Sequence, residues 1–546
     1  MAKSSMAPPA SRPVVMGVNG MVASAHPLAS LAGVQVLMDG GNAFDAAVAT
    51  AASLNVVEPY MSGMGGIGVA LAHVAKEGRI RALNFSGRAP RAAEPHRFTD
   101  DTKEYSTLAS LVPGNVAGWL TLHETYGSLE RERLFRPAIG YAENGFPITH
   151  LNSTFMAHQA ALLGRYPHSA GIFLNGGAPS PGSRLQMPLL ADSLRQVATG
   201  GMETFYRGDL ARRIVEGNRA LGGLFAEEDL AEYKAEWQDP ISVEYRGRQV
   251  FTVPPNCSSF QVLQTLKLME AFDPADLTLH DPDTMHTLLE TVKLCVTDRI
   301  QWAGDPDFVQ APLKGLLSPA YAKSQSKRID AGRAAAVSGE HYALTGPAGA
   351  LRPGNPADFD GGMTTHFAVA DRDGNVVSIT QTLGGAFGCG AAAGDTGVFL
   401  NNMASYFDLE EGSPNLIGPG KRVDFVVAPT QTLRDGRFFL SLSTPGSWGI
   451  LQTTPQLLLH VLEFGLNVQQ AIDTPRFRYF TGRHVKMEER FPLQLRRELQ
   501  ERGHEVEVIE AWSTIVGGAQ GIMVDAEHGT FQGGADPRRD GAALGY

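Results

Sequence analysis

The chain has 546 residues, 43% of them hydrophobic and 19% charged, enough apolar side chain to bury a large core and a length that points to two or more domains or one large layered fold. Lys and Arg number 46 against 57 Asp and Glu, a net charge of −11 with no long basic block, which excludes a general nucleic-acid binder. Cys257, Cys295 and Cys389 form no CxxC, so they are neither a disulfide framework nor a zinc pattern and read as buried or incidental thiols.

Residues 1–15 read as a disordered lead without the continuous apolar run of a secretory signal. Nowhere do the ~18 apolar residues of a membrane span run together. The expectation is therefore no membrane association and a cytoplasmic protein. "GGNAFDAAVATAASLNVVEP" (40–59) predicts a helix capped by Asn42 and stopped by Pro59. "YMSGMGGIGVALAHV" (60–74) spells GxGxxG at Gly63, Gly65 and Gly68. A dinucleotide fingerprint follows a strand and opens a helix, and this one does the reverse, so it reads as a glycine loop with close backbone packing. Residues 108–146 and 186–236 are mostly helical in pattern. Residues 243–272 read strand, loop, helix, and 283–304 is a further helix. Residues 331–362, rich in Gly, Ala and Pro, read as an exposed segment open to proteolysis or self-cleavage. No repeat of solenoid length occurs.

From residue 364 the pattern turns to strands. "THFAVAD" and "NVVSITQT" flank "RDG", "RFFLSLST" and "QGIMVDA" follow, and "ILQTTPQLLLHVLEFG" (450–465) is a helix. Strands and helices in both halves predict helices packed on sheets. If Arg372-Asp373-Gly374 is a three-residue loop with Gly left-handed, Asp371 faces Asn375 and Thr364 faces Thr382. Directly opposed Cβ atoms lie about 5 Å apart, close enough for the two hydroxyls to bond. Thr–Thr pairs are also ordinary in strands, so the pair alone proves no chemistry. In "FFLSLSTPGSWGILQTT" (438–454) a strand turns into a helix. There the N–H groups of Gly446 and Ser447 could receive an oxyanion, although the same turn can be a mere connection.

A hydroxyl nucleophile needs a base, and no Ser/His/Asp or G-x-S-x-G arrangement is present. His366 would share the face of Thr364. A cut between Met363 and Thr364 would instead supply the α-amine of Thr364, with a reference pKa of about 7.7–8.0, as a base suited to neutral pH.

At these residues the chain resembles the γ-glutamyltranspeptidase family of N-terminal-nucleophile hydrolases. The resemblance runs over nearly the whole chain, through residues 40–66, "VPGNVAGW", "ADRDGNVVSITQTL", "GVFLNN", "TPGSWG", "GLNVQQAIDTPRF" and "GGADPRRDGAALGY". It implies an α+β, four-layer αββα sandwich made as one precursor. The precursor would cut itself into a large segment, 16–363 behind the lead, and a small one, 364–546, which remain one intertwined unit. Thr364 matches the nucleophile, Thr382 the second Thr that bonds it, and Gly446 and Ser447 the oxyanion positions.

The substrate positions depart from the family. Ser86 falls where an Arg binds the glutamyl carboxylate, and Arg88 is the nearest substitute. Tyr406 stands for an acid that takes the donor ammonium, and Met403 for Gln or Glu. Phe425 and Val426 replace a Ser-Ser pair, Gly384 an Asn, and Trp448 crowds the rim beside Ser447. The stretch between Phe407 and Lys421 is too short for the lid of some members. The resemblance thus implies an amidohydrolase or acylase acting on a non-glutamyl, partly apolar amide, without metal or organic cofactor. Its partners would be a small-molecule substrate and the two fragments of its own precursor, with homo-oligomer formation left open. Beside this stand a true γ-glutamyltransferase or glutathione hydrolase, and a catalytically silent binding homologue.

Overall fold

The helix predicted after Asn42 runs from Ala43 to Val57. Asn42 caps it through a reciprocal box with Asp45, and it ends at Glu58, before Pro59. Its first N–H also donates to the Asp371 carboxylate (2.9 Å), which accepts from the N–H groups of Asp373 and Asn375. One side chain therefore ties this helix to the turn of the predicted hairpin. That turn has Gly374 left-handed (φ 87°). The ladder runs as expected, Ala370 opposite Val376 back to Thr364 opposite Thr382.

The computed structural model describes residues 10–336 and 362–546. Residues 1–9 of the expected lead, and 337–361 of the segment expected to be exposed, lie outside the described residues. Residues 10–15 differ from the expected lead. Ser11 bonds the Asp473 carboxylate through N–H and Oγ, Arg12 donates to the Gly541 carbonyl, and Val15–Gly17 is a strand. The polar residues that read as disorder are the ones that bond the C-terminal part of the chain.

Two seven-stranded antiparallel sheets form the centre. One has the order Ala542–Gly545, Gly20–Ser24, Gly362–Asp371, Val376–Gly385, Ile67–Val74, Arg79–Phe85, Glu236–Gln238. The other runs Val15–Gly17, Thr530–Ala535, Gln520–Asp525, Arg437–Ser443, Thr430–Arg434, Arg248–Thr252, Ile241–Tyr245. The last two strands correct the reading of 243–272 as one strand before a helix. A tight turn at Arg246 and Gly247, both at positive φ, folds that stretch into a hairpin, and the helix Phe260–Met269 follows.

Strand alternation assigns the layers. Phe367, Val369, Val377 and Ile379 pack with residues of helices Ala43–Val57 and Asn115–Tyr126. Ala368, Ala370 and Val376 pack with Ile522 and Phe531 of the other sheet. Helices Phe260–Met269, Pro282–Trp302 and Ile450–Leu462 cover the far side of that other sheet. The result is the helix–sheet–sheet–helix sandwich, with each large apolar side chain contributing about 1.5–3 kcal/mol on burial. By the same period of two, Thr364 and Thr382 point into the space between the sheets, and Thr365 points to the helices. The glycine loop at 60–66 packs closely, as expected: a Cβ on Gly66 would lie 2.3 Å from the Thr382 carbonyl oxygen.

Candidate active site

The ladder slips one residue at the end of the hairpin. Met363 pairs with Gly384 while Thr364 pairs with Thr382, so Leu383 is bulged out, its N–H donating to the Met61 carbonyl. The bulge lays the Met363–Thr364 peptide over the Thr382 side chain. Thr364 Oγ1 donates to Thr382 Oγ1 at 3.3 Å. Thr382 Oγ1 donates to the Met363 carbonyl oxygen at 2.5 Å and accepts from the Gly384 N–H at 2.8 Å. One hydroxyl thus bonds both the Thr364 hydroxyl and the Met363 carbonyl. Thr364 is 3% exposed.

His366 does share the face of Thr364, but its Nδ1 bonds Thr380 Oγ1, the residue opposite, at 2.9 Å. Burial pushes its pKa down to about 3, far below what a base at neutral pH needs. This removes the expected motive for a His366 role.

The strand of Thr364 lies against the turn Ser447–Gly449, which leads into the helix Ile450–Leu462. Gly446 has φ 136° and Ser447 φ 55°, both in the left-handed half of the map. A Cβ at 446 would also stand 3.2 Å from Gly517 Cα, so this position needs glycine, while Ser447 bears the strain. Ser447 Oγ is bonded to Tyr406 Oη at 2.8 Å. The Tyr406 and Trp448 rings pack with centroids 5.5 Å apart. On Trp448 lies the Arg299 guanidinium, 4.2 Å from the ring centroid, paired with Asp424 at 3.2 Å. Phe425 and Val426 follow Asp424, and both are buried, as is Met403. At Gly384 a Cβ would meet Asn402 Oδ1 at 2.3 Å and Met403 Sδ at 3.1 Å. The Asn402 amide thus takes the space a side chain at 384 would use, accepting from the Gly385 N–H. The short stretch after Phe407 is held down by Asn415, which donates to the Tyr406 carbonyl and accepts from the Asp424 N–H.

Arg88 stands differently from expectation. Its guanidinium pairs with Asp307 (3.2 Å) and Glu236 (3.6 Å) and donates to the Gly420 carbonyl. Arg422 shares both acids, so a substrate carboxylate arriving there would face a network of paired charges. Arg88 lines an open cleft of about 350 Å³ with Arg91, Glu228, Glu232 and Tyr233. Ser86, in the place of the family's Arg, is buried and bonds Asn256 Oδ1.

Four charged residues near this centre have no local sequence pattern that assigns them a role. Glu58 accepts from Thr365 Oγ1 at 2.8 Å, and Arg539 donates to the Thr364 carbonyl at 3.2 Å. Arg299 and Asp424 stand behind Trp448. "NVVEP" and "ADPRR" carried the signal for the first two, as motifs without an assigned purpose. His286, Glu290 and His504 bring three possible ligand atoms within 4.8 Å of one another. The Lys293 ammonium, 2.7 Å from Glu290 and 3.5 Å from His504, already supplies the positive charge there. Lys293 and Glu290 grip the backbone of Ala335, and His286 bonds the Asp330 carbonyl, so the cluster works as a clamp.

Comparison with known proteins gives one consistent answer. The family description "Gamma-glutamyltranspeptidase" matches residues 29–546. The glutathione hydrolase proenzyme of Escherichia coli (strain K12) is 34% identical, over 100% of this chain and 96% of that protein. The acylase ACY 1 proenzyme of Pseudomonas sp. (strain SE83) is 35% identical, over 97% of this chain and 94% of that one. The crystal structure of a cephalosporin acylase from Bacillus halodurans superposes with a TM-score of 0.89 and 32% identity, over 100% of this chain and 99% of that one.

Proposed function

This chain belongs to the γ-glutamyltranspeptidase family, an enzyme of its hydrolase and transpeptidase class, and from that premise we propose that Thr364 is the nucleophile of a self-processing amidohydrolase whose acyl group is not glutamyl. The observation that carries the reading is the pair of bonds from Thr364 Oγ1 to Thr382 Oγ1 and from Thr382 Oγ1 to the Met363 carbonyl.

In processing, Thr364 Oγ1 attacks the Met363 carbonyl carbon. The oxygen that gains charge sits against the Thr382 hydroxyl. The C–N bond breaks, the nitrogen takes the proton, and the segment ending at Met363 is left as an ester on Thr364. Water hydrolyses that ester, giving segments 1–363 and 364–546 and a free α-amine on Thr364. In turnover this amine takes the Oγ1 proton as Oγ1 attacks the substrate amide. The N–H groups of Gly446 and Ser447 meet the oxyanion, each such donor being worth about 10²–10³ in rate. The amine then passes its proton to the departing nitrogen, and water or an amine accepts the acyl group.

The rim supports the choice of acyl group. A glutamyl donor brings an ammonium and a carboxylate, whereas the matching positions hold Tyr406, Met403, Phe425 and Val426. Burying either charge unpaired costs several kcal/mol. Tyr406 and Trp448 suit an apolar or aromatic acyl face beside Ser447. A second reading, hydrolysis of γ-glutamyl amides, is favoured by the full-length likeness to a glutathione hydrolase. A panel of acyl 4-nitroanilides, phenylacetyl, hexanoyl and γ-glutamyl, with intact mass measured in parallel, separates the two. Two fragments meeting at 363/364 and preference for the apolar acyl groups are expected. Ordinary turnover of the γ-glutamyl anilide would sink the altered-pocket reading. Among the described residues no helix is long and apolar enough to cross a membrane. The cytoplasmic setting is likewise a proposal, resting on the sequence.

A further inference from the structure

Thr364 and Thr365 are held from outside the catalytic face by two buried charges. Glu58 ends the helix Ala43–Val57, is fully buried, and takes the Thr365 hydroxyl on one carboxylate oxygen. Arg539, 4% exposed, donates from Nη1 to the Thr364 carbonyl and lies 2.9 Å from Met61 Sδ. In an antiparallel ladder the N–H and C=O of a residue point to the same edge. The Thr364 carbonyl is turned to Arg539, so the Thr364 nitrogen emerges on the edge that Arg539 occupies.

Among the described residues, the other ionisable groups acting on this guanidinium are Tyr60, Asp536 and Asp540. Tyr60 follows the helix and is held neutral by burial. Asp536 is bonded to Arg476 and Arg538, and Asp540 to Thr149. Glu58 is held by burial at about 7, against the pull of Arg539, so its charge fades on the acid side of neutrality. His366, on the other face, is neutral throughout this range.

We propose that Arg539 is a positioning residue for the reaction above: it fixes the first peptide of the new N-terminus and, as a standing cation on the same edge as the α-amine, keeps that amine unprotonated near neutral pH. The inference rests on Thr364 being the nucleophile. A like charge on the same edge disfavours protonation, by roughly one pH unit or more. Glu58 cannot cancel it where it matters, because it is itself taking up a proton there.

The test is the pH profile of kcat/KM on whichever of the three anilides the wild-type enzyme turns over best. Arg539→Gln, Arg539→Lys and the double variant Glu58→Gln/Arg539→Gln are compared with wild type. The double variant leaves no charge buried alone, so it covers the case in which Arg539→Gln fails to fold. Loss of the cation moves the acid limb up by about one pH unit, so activity near pH 6 falls about tenfold and recovers in alkali. Arg539→Lys restores the wild-type limb. A limb that stays in place, with activity lowered equally at every pH, overturns the proposal and leaves only a structural role. Activity that survives Thr364→Ala, measured alongside, overturns both this proposal and the nucleophile assignment.

Discussion

Thr364 and Thr382 are brought together by a ladder that counts back from the turn at Gly374, both partners lying within 18 residues of each other. Tyr406, Trp448 and Arg299 meet around Ser447 from three separate segments, two short turns and the helix Pro282–Trp302. The first region is buried hydroxyls and backbone in a sheet, where a one-residue slip would turn Thr364 to the wrong face. The second is an aromatic rim in which one ring covers the next. The two regions share little beyond Ser447 and the strand of Thr364 against the turn Ser447–Gly449, so under the proposed function attack can be kept while the acyl group changes.

Four changes break or sharpen this contrast. Thr364→Ala has the largest expected effect: no fragments at 363/364 by intact mass, and anilide turnover lowered by at least about 10³-fold. An Ala variant that still splits would place the attacking group elsewhere. Thr382→Ala comes next, slowing both self-cleavage and turnover by about 10²-fold, with Thr382→Ser restoring most of each. An unaffected Ala variant would separate the two hydroxyls that the ladder joins.

On the rim, Trp448→Ala is expected to raise KM about tenfold for an apolar acyl anilide while kcat changes less, since the ring contributes binding rather than attack. A collapse of kcat with KM unchanged would mean that the rim holds the oxyanion turn in place. Tyr406→Phe removes one hydroxyl bond to Ser447 and keeps the ring, so kcat/KM is expected to fall by no more than about fivefold, the scale of a single neutral hydrogen bond.

The burial of the histidines has a consequence in acid. Burial holds His366, His460 and His504 at about 3 and His26 and His280 at about 4, all below the 6.5 of an exposed imidazole. The unfolded chain therefore takes up their protons first, and stability is full above about pH 6.5 and lost as pH falls toward 4. Glu58 and Asp408, raised by burial to about 7 and about 6, and Asp298, Asp424 and Asp540, also raised by burial, work in the opposite sense and reduce the loss without cancelling that of the five imidazoles. The apparent Tm at pH 5 is expected to lie several degrees below that at pH 7.5. A flat profile would mean that water reaches these rings.

Legibility in the sequence followed the range of the interaction. The hairpin, the capped helix after Asn42 and the strand-to-helix turn at 444–450 depend on neighbours in the chain, and all were readable. The helix Pro27–Met38 gave no periodic signal, because seven of its twelve residues are buried and its apolar and small residues lie on every side. The hairpin at 241–252 hid behind an ordinary Arg-Gly pair. Arg88 illustrates the opposite failure: its place in the sequence two residues from Ser86 suggests a charge near the pocket, and only the fold reveals Asp307 and Glu236 already holding it.

The sequence alone determined the hairpin that sets Thr364 against Thr382, through side-chain period and turn chemistry, because these are set by backbone sterics over a few residues. Tertiary structure decided what surrounds it. Glu58 reaches Thr365 across 307 residues and Arg539 reaches Thr364 across 175. Contacts of that range form only when two sheets and two helix layers close on each other, and they leave no local pattern to read.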